Sequence, residues 1–197
     1  MTHWKSQGDG EKDMNRPTIY LAGPAVFRPD AVAIGKRKVA MCEDYGFEGL
    51  YPLDNEVSGE GDEPIDQVIY EGNVAMILRA DMGVFDLTPH LGISADVGTA
   101  FELGMFAALR KPAFGHTTAA GTILERAKAT FALARDAARG WRTADGTLIE
   151  DFENRDNLML DGYLDVGGNA FIHDDDHWVG FERCLREARA TADRNGW

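Results

Sequence analysis

The sequence has few cysteines and no long apolar run. Only two of its 197 residues are cysteine, Cys42 and Cys184, which is too few for a disulfide framework and favours a reducing compartment. Both lie among apolar neighbours in helix-like segments, so we expect them to be small core residues. No stretch approaches the roughly 20 apolar residues that span a bilayer. These absences predict a soluble cytoplasmic protein that does not associate with membranes.

Basic residues are also scarce relative to acidic ones. Lysine and arginine together number 20 against 33 acidic residues, which gives a formal net charge of −13. Such a charge repels phosphate backbones, and no cluster of basic residues offsets it locally. We therefore expect no nucleic-acid partner. The hydrophobic share of 44% and the charged share of 27% are those of a globular domain.

Two nucleotide-binding motifs are missing as well. The sequence contains neither G-x-G-x-x-G nor G-x-x-x-x-G-K-[ST], the motifs that usually indicate binding of NAD or ATP. We therefore expect no cofactor. The run from His173 to His177 has the composition of a metal cluster, but its acids immediately precede a predicted helix. Acidic residues suit a helix N-terminus. The sequence therefore favours a capping loop there and predicts no metal site.

Strand-like and helix-like patterns alternate along most of the chain. Residues 1–16 read as a flexible polar leader and 17–197 as a single α/β domain, in which 117–151 is an inserted helical and hairpin segment with an Asp145-Gly146 turn. The predicted strands are 18–22, 48–51, 82–85, 112–115 and 170–172, and helices are predicted from about 30 to 46, 65 to 76, 96 to 109, 123 to 139 and through 181–192. This alternation predicts βαβ units with right-handed crossovers and a parallel sheet with helices on both faces.

Ligands of such sheets bind beyond the carboxyl ends of the strands, which directs attention to three loops. After the first strand, Gly23 would let a ligand approach the backbone and Phe27 would stack on a flat ring, although a tight turn beside a core aromatic fits equally well. After the second strand, Asp54 and Asn55 suit either a turn or contacts with a hydroxylated substrate.

The third loop leads into a helix through Asp96, Gly98, Thr99 and Glu102. The positive end of a helix favours ionised carboxylates, so an acid here is expected to stay charged near neutral pH, as a glycosyl-transfer nucleophile must. The pattern Thr99-x-x-Glu102 equally matches a capping box, in which Glu102 only accepts a backbone hydrogen bond. The apolar neighbours of Glu102 favour the catalytic interpretation over the cap.

Together these segments resemble one enzyme family, the nucleoside 2-deoxyribosyltransferases. The resemblance rests on five segments in order, namely 19–24, 52–55, Asp81, the run Asp96-x-Gly98-Thr99-x-x-Glu102-x-Gly104, and 157–159. It implies a flavodoxin-like, doubly wound five-stranded parallel sheet and a homo-oligomer in which a neighbouring subunit completes each site. It also implies exchange of the base of 2′-deoxyribonucleosides with free nucleobases, through a covalent deoxyribosyl-glutamate intermediate and with retention.

The resemblance also assigns roles to individual residues. Glu102 would attack the anomeric carbon and Tyr20 would hold the Glu102 carboxylate. Asp81 and Asp96 would face the base, and one of them would donate a proton to it. Asn157 would reach a neighbour's site and bind the sugar 5′-hydroxyl. The predicted substrate-binding set is Gly23, Phe27, Asp54, Asn55, Asp81, Gly98 and Asn157.

Two alternatives stay open at this point. The first is an N-glycoside hydrolase of nucleosides or nucleoside 5′-monophosphates on the same scaffold, for which Arg28 is the only candidate phosphate ligand after the first strand. The second is a binding or scaffold module without activity, in which Asp96 and Glu102 are helix caps. The products formed from a deoxynucleoside, with and without an acceptor base, distinguish these functions.

Overall fold

Parallel strands and helices follow one another through most of the structure. A computed structural model describes residues 16–52, 64–138, 140–167 and 169–197. Within these ranges the elements are β1 (Thr18–Ala22), a short 3₁₀ turn (Pro24–Phe27), α1 (Ala31–Asp44), β2 (Glu48–Leu50), α2 (Ile65–Arg79), β3 (Met82–Asp86), α3 (Val97–Leu109), β4 (Ala113–Thr117), α4 (Ile123–Thr130), β5 (Leu133–Asp136), β6 (Gly140–Thr143), α5 (Leu158–Val166), β7 (Phe171–His173) and α6 (His177–Asn195).

The main sheet has five strands in the order β2-β1-β3-β4-β7. Every pairing in it is parallel, with Tyr20 opposite Gly83 and Asp86 opposite His116. The strand order reverses between β1 and β3, which is the switch point at which such sheets bind ligands. This architecture confirms the predicted doubly wound, five-stranded parallel sheet.

Helices cover both faces of this sheet and give it two cores. Ile19 and Leu21 of β1 pack with Phe181 and Cys184 on the face covered by α1 and α6. Tyr20, between them in the chain, packs on the opposite face with residues of α2, α3 and α5. Because successive strand residues point to opposite faces, a sheet buried on both sides needs a continuous apolar run, as β1 has. Cys42 and Cys184 are both buried, as predicted.

The predicted helix over 123–139 is wrong beyond its first half. α4 ends at Thr130, and Leu133–Asp136 pairs instead with Gly140–Thr143 as an antiparallel hairpin. Gly140 has a positive φ of 79°, a conformation that favours glycine. Alanine content favours a helix only weakly, and strand pairing outweighs it here. The predicted turn at Asp145-Gly146 is present and is closed by an isolated bridge between Arg142 and Leu148.

The remaining predictions at this level concern the leader and the membrane. Residues 1–15 of the leader lie outside the described residues, as does the segment 53–63 after β2. Within the described ranges, every helix is too short or too polar to cross a bilayer.

Candidate functional site

A tyrosine of β1 and a glutamate of α3 lie together on one face of the sheet. The Tyr20 hydroxyl donates a hydrogen bond of 2.7 Å to Glu102 Oε1. Tyr20 is fully buried in β1, where its ring stacks on Phe106 at a centroid distance of 6.0 Å. Glu102 lies on α3, between buried Leu103 and the exposed Phe101. The sheet therefore fixes the position of the Tyr20 hydroxyl, and the hydrogen bond from this hydroxyl fixes the position of the Glu102 carboxylate.

Burial changes the ionisation of this pair. The pKa of Glu102 is raised from its usual 4.5 to about 7, chiefly because the carboxylate is buried; the hydrogen bond from Tyr20 opposes this rise and the nearby charge of Asp96 adds to it. Burial also raises the pKa of Tyr20, so the phenol stays protonated as the donor. The expectation that the helix terminus keeps Glu102 fully charged near neutral pH is therefore corrected. Glu102 lies beyond the first turn of α3, where the field of the terminus is weak and desolvation dominates.

Asp96, rather than Thr99, is the N-cap of α3. Its Oδ2 accepts hydrogen bonds from the Thr99 backbone N–H at 2.9 Å and from the Thr99 hydroxyl at 3.2 Å. The capping-box interpretation of Thr99 and Glu102 is therefore wrong, because Glu102 is one turn too far along the helix to cap it. Its carboxylate contacts Tyr20 instead. A Cβ added at Gly98 would lie 3.1 Å from Asp96 Oδ2, so this glycine leaves room for the cap.

A buried acid holds the loop that leads into α3. Asp156 is almost fully buried, and its Oδ2 accepts a hydrogen bond of 3.0 Å from the Ala95 backbone N–H. Ser94 also donates a hydrogen bond to Asp156. Arg126 of α4 lies 3.6 Å from Asp156 and donates a hydrogen bond of 2.8 Å to the Ile93 carbonyl. Because these contacts fix the residues immediately before Asp96, they set the position of α3 and of Glu102.

Gly23 and Phe27, predicted to bind substrate, have neighbours within the chain. Gly23 has a φ of 144°, and a Cβ added there would lie 2.5 Å from the Cβ of Asp86. The space that its missing side chain leaves is therefore used by Asp86. Phe27 is exposed and stacks on His90 with ring centroids 5.0 Å apart. Both rings line a cavity that Glu102 does not line.

Asp81 does not join the other candidates, which corrects the sequence analysis. It immediately precedes β3, and its Oδ2 accepts hydrogen bonds from the Thr18 backbone N–H at 2.8 Å and the Thr18 hydroxyl at 2.9 Å. Thr18 is the first residue of β1, so both residues lie at the amino edge of the parallel sheet. Ligands of these sheets bind at the carboxyl edge, at the other end of the strands.

Asn157 is the N-cap of α5. Its Oδ1 accepts a hydrogen bond of 3.0 Å from the Met159 backbone N–H, and its Nδ2 donates one of 2.7 Å to Glu150 Oε1. Both polar ends of the side chain therefore have partners within the same chain. Asp54 and Asn55 lie outside the described residues, within the segment 53–63.

A second polar cluster lies at the carboxyl edge of the sheet and was missed by the sequence analysis. It consists of Asp86, His116 and His177. Asp86 is the last residue of β3, and His116, the residue before the last of β4, lies opposite it in the parallel register. The capping loop predicted before α6 is confirmed in part, because Asp176 accepts hydrogen bonds from the Trp178 and Val179 backbone N–H groups.

This chain is similar in sequence and fold to known proteins. The family model described as nucleoside 2-deoxyribosyltransferase matches residues 19–159. A solved 2-desoxiribosyltransferase from Leishmania mexicana is 30% identical, with a TM-score of 0.64 over 86% of this chain and 97% of that one. An uncharacterized protein of Schizosaccharomyces pombe is 28% identical over 190 residues, covering 89% of this chain and 86% of that protein. A conserved protein from Enterococcus faecalis V583 shares the fold, with a TM-score of 0.55 and 19% identity over 89% of this chain and 99% of that one.

Proposed function

The chain belongs to the nucleoside 2-deoxyribosyltransferase family, and we propose that it exchanges the base of a 2′-deoxyribonucleoside for another free nucleobase. The observation that carries the proposal is the 2.7 Å hydrogen bond between the buried Tyr20 hydroxyl and the Glu102 carboxylate. Both residues lie within the range that the family model matches, 19–159. A helix cap does not account for Glu102, since Asp96 fills that position.

Glu102 is the proposed nucleophile. Its ionised carboxylate attacks C1′ of the deoxyribose as the bond from C1′ to the base nitrogen breaks, and the departing nitrogen takes the electron pair and a proton donated by Asp96. The glycosyl ester that forms is then attacked at C1′ by a nitrogen of the second base, which gives its proton back to Asp96 as the bond to the Glu102 carboxylate breaks. Two inversions give net retention. A pKa raised to about 7 makes the ionised Glu102 carboxylate a stronger nucleophile, while a substantial fraction of it stays ionised at neutral pH.

Asp96 is proposed to exchange a proton with the nucleobase. Asn157 is proposed to bind the 5′-hydroxyl of a nucleoside that occupies the site of a neighbouring subunit. Asp96 is close enough to Glu102 for its charge to raise the pKa of Glu102, whereas Asp81 lies at the opposite edge of the sheet. For Asn157, the amide would exchange its bond to Glu150 for the substrate. Gly98, Asp54 and Asn55 stay proposed substrate contacts through the backbone and through sugar hydroxyls. No step of this chemistry uses a cofactor.

We also propose that the protein forms a homo-oligomer whose subunits complete one another's sites. Large apolar side chains are exposed on α3 and α5, among them Phe101 at 58% and Met159 at 71%. A groove of about 930 Å³ runs between α3, α5 and the end of α6, beside the helix that carries Glu102. Exposed apolar surface of this kind is typical of subunit contacts. Analytical ultracentrifugation should give a multiple of 21.6 kDa, and a monomer at micromolar concentration would contradict this arrangement.

The activity is tested by identifying products. The purified chain is incubated with a deoxynucleoside such as thymidine, with and without adenine, and the products are separated by chromatography. We expect deoxyadenosine and thymine only when adenine is present in the mixture. Release of free deoxyribose at an equal rate without adenine would make the protein a hydrolase and overturn the proposal, as would the absence of any product from all four natural deoxynucleosides.

Replacing Tyr20 by Phe tests how the carboxylate is held. The substitution removes the hydrogen bond that lowers the pKa of Glu102, so that pKa should rise above about 7. The acid limb of the rate profile should move to higher pH, and exchange at pH 7 should fall by roughly 10-fold to 100-fold. Tyr45→Phe is the matched control, because Tyr45 makes a similar 2.8 Å bond to Glu182. An unchanged pH profile in Tyr20→Phe would contradict the positioning role.

A further inference from the structure

Asp86, His116 and His177 form a compact cluster at the carboxyl edge of the sheet. One potential ligand atom of each residue lies within 4.8 Å of the others, and His177 Nδ1 is 3.4 Å from Asp86 Oδ2. Three different elements supply them: Asp86 ends β3, His116 lies in β4 and His177 is the first residue of α6. Convergence of two imidazoles and one carboxylate from separate elements is the donor set of many metal centres.

The unpartnered state of the His116 imidazole indicates that a ligand binds there. Its side chain is fully buried, and neither ring nitrogen has a hydrogen-bond partner among the described residues. A neutral imidazole carries one N–H donor and one lone pair, and leaving both unsatisfied in a protein interior costs free energy. A metal ion bound to one nitrogen would satisfy the lone pair.

The cluster opens into a cavity rather than into the core. Asp86 and His177 line a space of about 420 Å³, together with Thr88, His90 and Thr118. Open coordination positions on a metal ion here would face a volume that suits a small ligand. Val84 and Phe114 precede Asp86 and His116 by two residues and pack on the face covered by α1 and α6. By strand alternation, the cluster and the Tyr20 side chain lie on opposite faces of the sheet.

We propose that Asp86, His116 and His177 bind a divalent transition-metal ion of the zinc, cobalt and iron group. Two imidazoles and one carboxylate suit such borderline ions, and three protein ligands leave positions for water or substrate. Lys38 is fully buried on α1 and interacts electrostatically with Asp86. Burial lowers the pKa of Lys38, but its charged form competes with a metal ion for this carboxylate, so the affinity should be moderate rather than that of a structural zinc site.

The test measures metal binding by the full-length chain after removal of metals with a chelator. Titration calorimetry with zinc chloride should give one ion per chain, and cobalt chloride should produce d–d absorption bands. His177→Ala should weaken binding by more than about 100-fold, since it removes a direct ligand. His177 is partly exposed, so this variant is expected to fold, and its circular dichroism spectrum checks this. Asp86→Asn provides a second, shape-conserving variant with the same expected loss.

His90→Ala is the matched control, because His90 lines the same cavity but lies outside the cluster. It should bind zinc as the unmodified chain does. The proposal is overturned if the unmodified chain binds no stoichiometric ion, if His177→Ala and Asp86→Asn bind as tightly as it does, or if His90→Ala loses the ion equally. Base exchange in the presence of the chelator is measured separately, so failure of the metal site leaves the proposed function untouched.

Discussion

Base exchange should fall by at least about 10³-fold when Glu102 is replaced by Gln. The amide has nearly the shape of the carboxylate, and its carbonyl oxygen still accepts the hydrogen bond from Tyr20. It does not form a glycosyl ester, because a neutral amide is a poor nucleophile. The measurement is the initial rate of deoxyadenosine formation from thymidine and adenine at pH 7.

Glu182→Gln is the matched control for this prediction. Glu182 also accepts a tyrosine hydrogen bond, from Tyr45 at 2.8 Å, but its partners lie at the end of α1 and on α6. Its exchange rate should stay within about twofold of the unmodified rate. If Glu102→Gln keeps a comparable rate while it is correctly folded, Glu102 is not the nucleophile, and the assignment of the site is refuted.

The same substitution should make the protein more stable above neutral pH. The pKa of Glu102 is raised from 4.5 to about 7 in the folded chain, so the folded state keeps a proton that the unfolded state has lost. The Glu102 contribution to stability is therefore fully present below pH 4.5 and is lost as the pH rises through 7. At about 1.4 kcal/mol for each pH unit, the loss is up to about 3.5 kcal/mol. Glutamine resembles the protonated acid and does not ionise, so the Glu102→Gln variant avoids this loss of stability.

Urea denaturation at pH 5 and pH 8 measures this effect. Glu102→Gln should gain stability relative to the unmodified chain at pH 8, and much less of that gain should remain at pH 5. Glu187→Gln, which changes an exposed residue of α6, should leave the pH dependence unchanged. An equal effect of Glu102→Gln at both pH values would mean that Glu102 has an ordinary pKa in the folded protein.

The main sheet was largely predictable because its central strands are buried on both faces. β1 was predicted with its observed bounds, Thr18–Ala22, since five buried residues in a row bounded by a glycine leave little ambiguity. The hairpin of β5 and β6 was not predicted. Its residues are half-buried or exposed, so neither periodicity nor composition distinguishes them from a helix, and the pairing that stabilises them is a tertiary contact.

The candidate site was predictable only in part. The resemblance placed Tyr20 beside Glu102, but it also placed Asp81 with them. A residue that opens a strand lies at the opposite edge from one that follows it, and Asp81 opens β3. The choice between Asp96 and Thr99 as the cap depends on backbone angles that the sequence does not reveal. The pKa of Glu102 depends on how much of α3 is covered, which is a property of packing.

Alternation along the strands also bears on how this protein could be altered. In β3, Phe85 belongs to the core beneath Tyr20, and its neighbour Asp86 belongs to the histidine cluster. A layer of backbone separates the two environments, so paired substitutions, one from each side, should have nearly additive free-energy effects. Laboratory evolution could therefore adjust one chemistry without disturbing the other, and combinatorial libraries for the two sides can be built separately and merged.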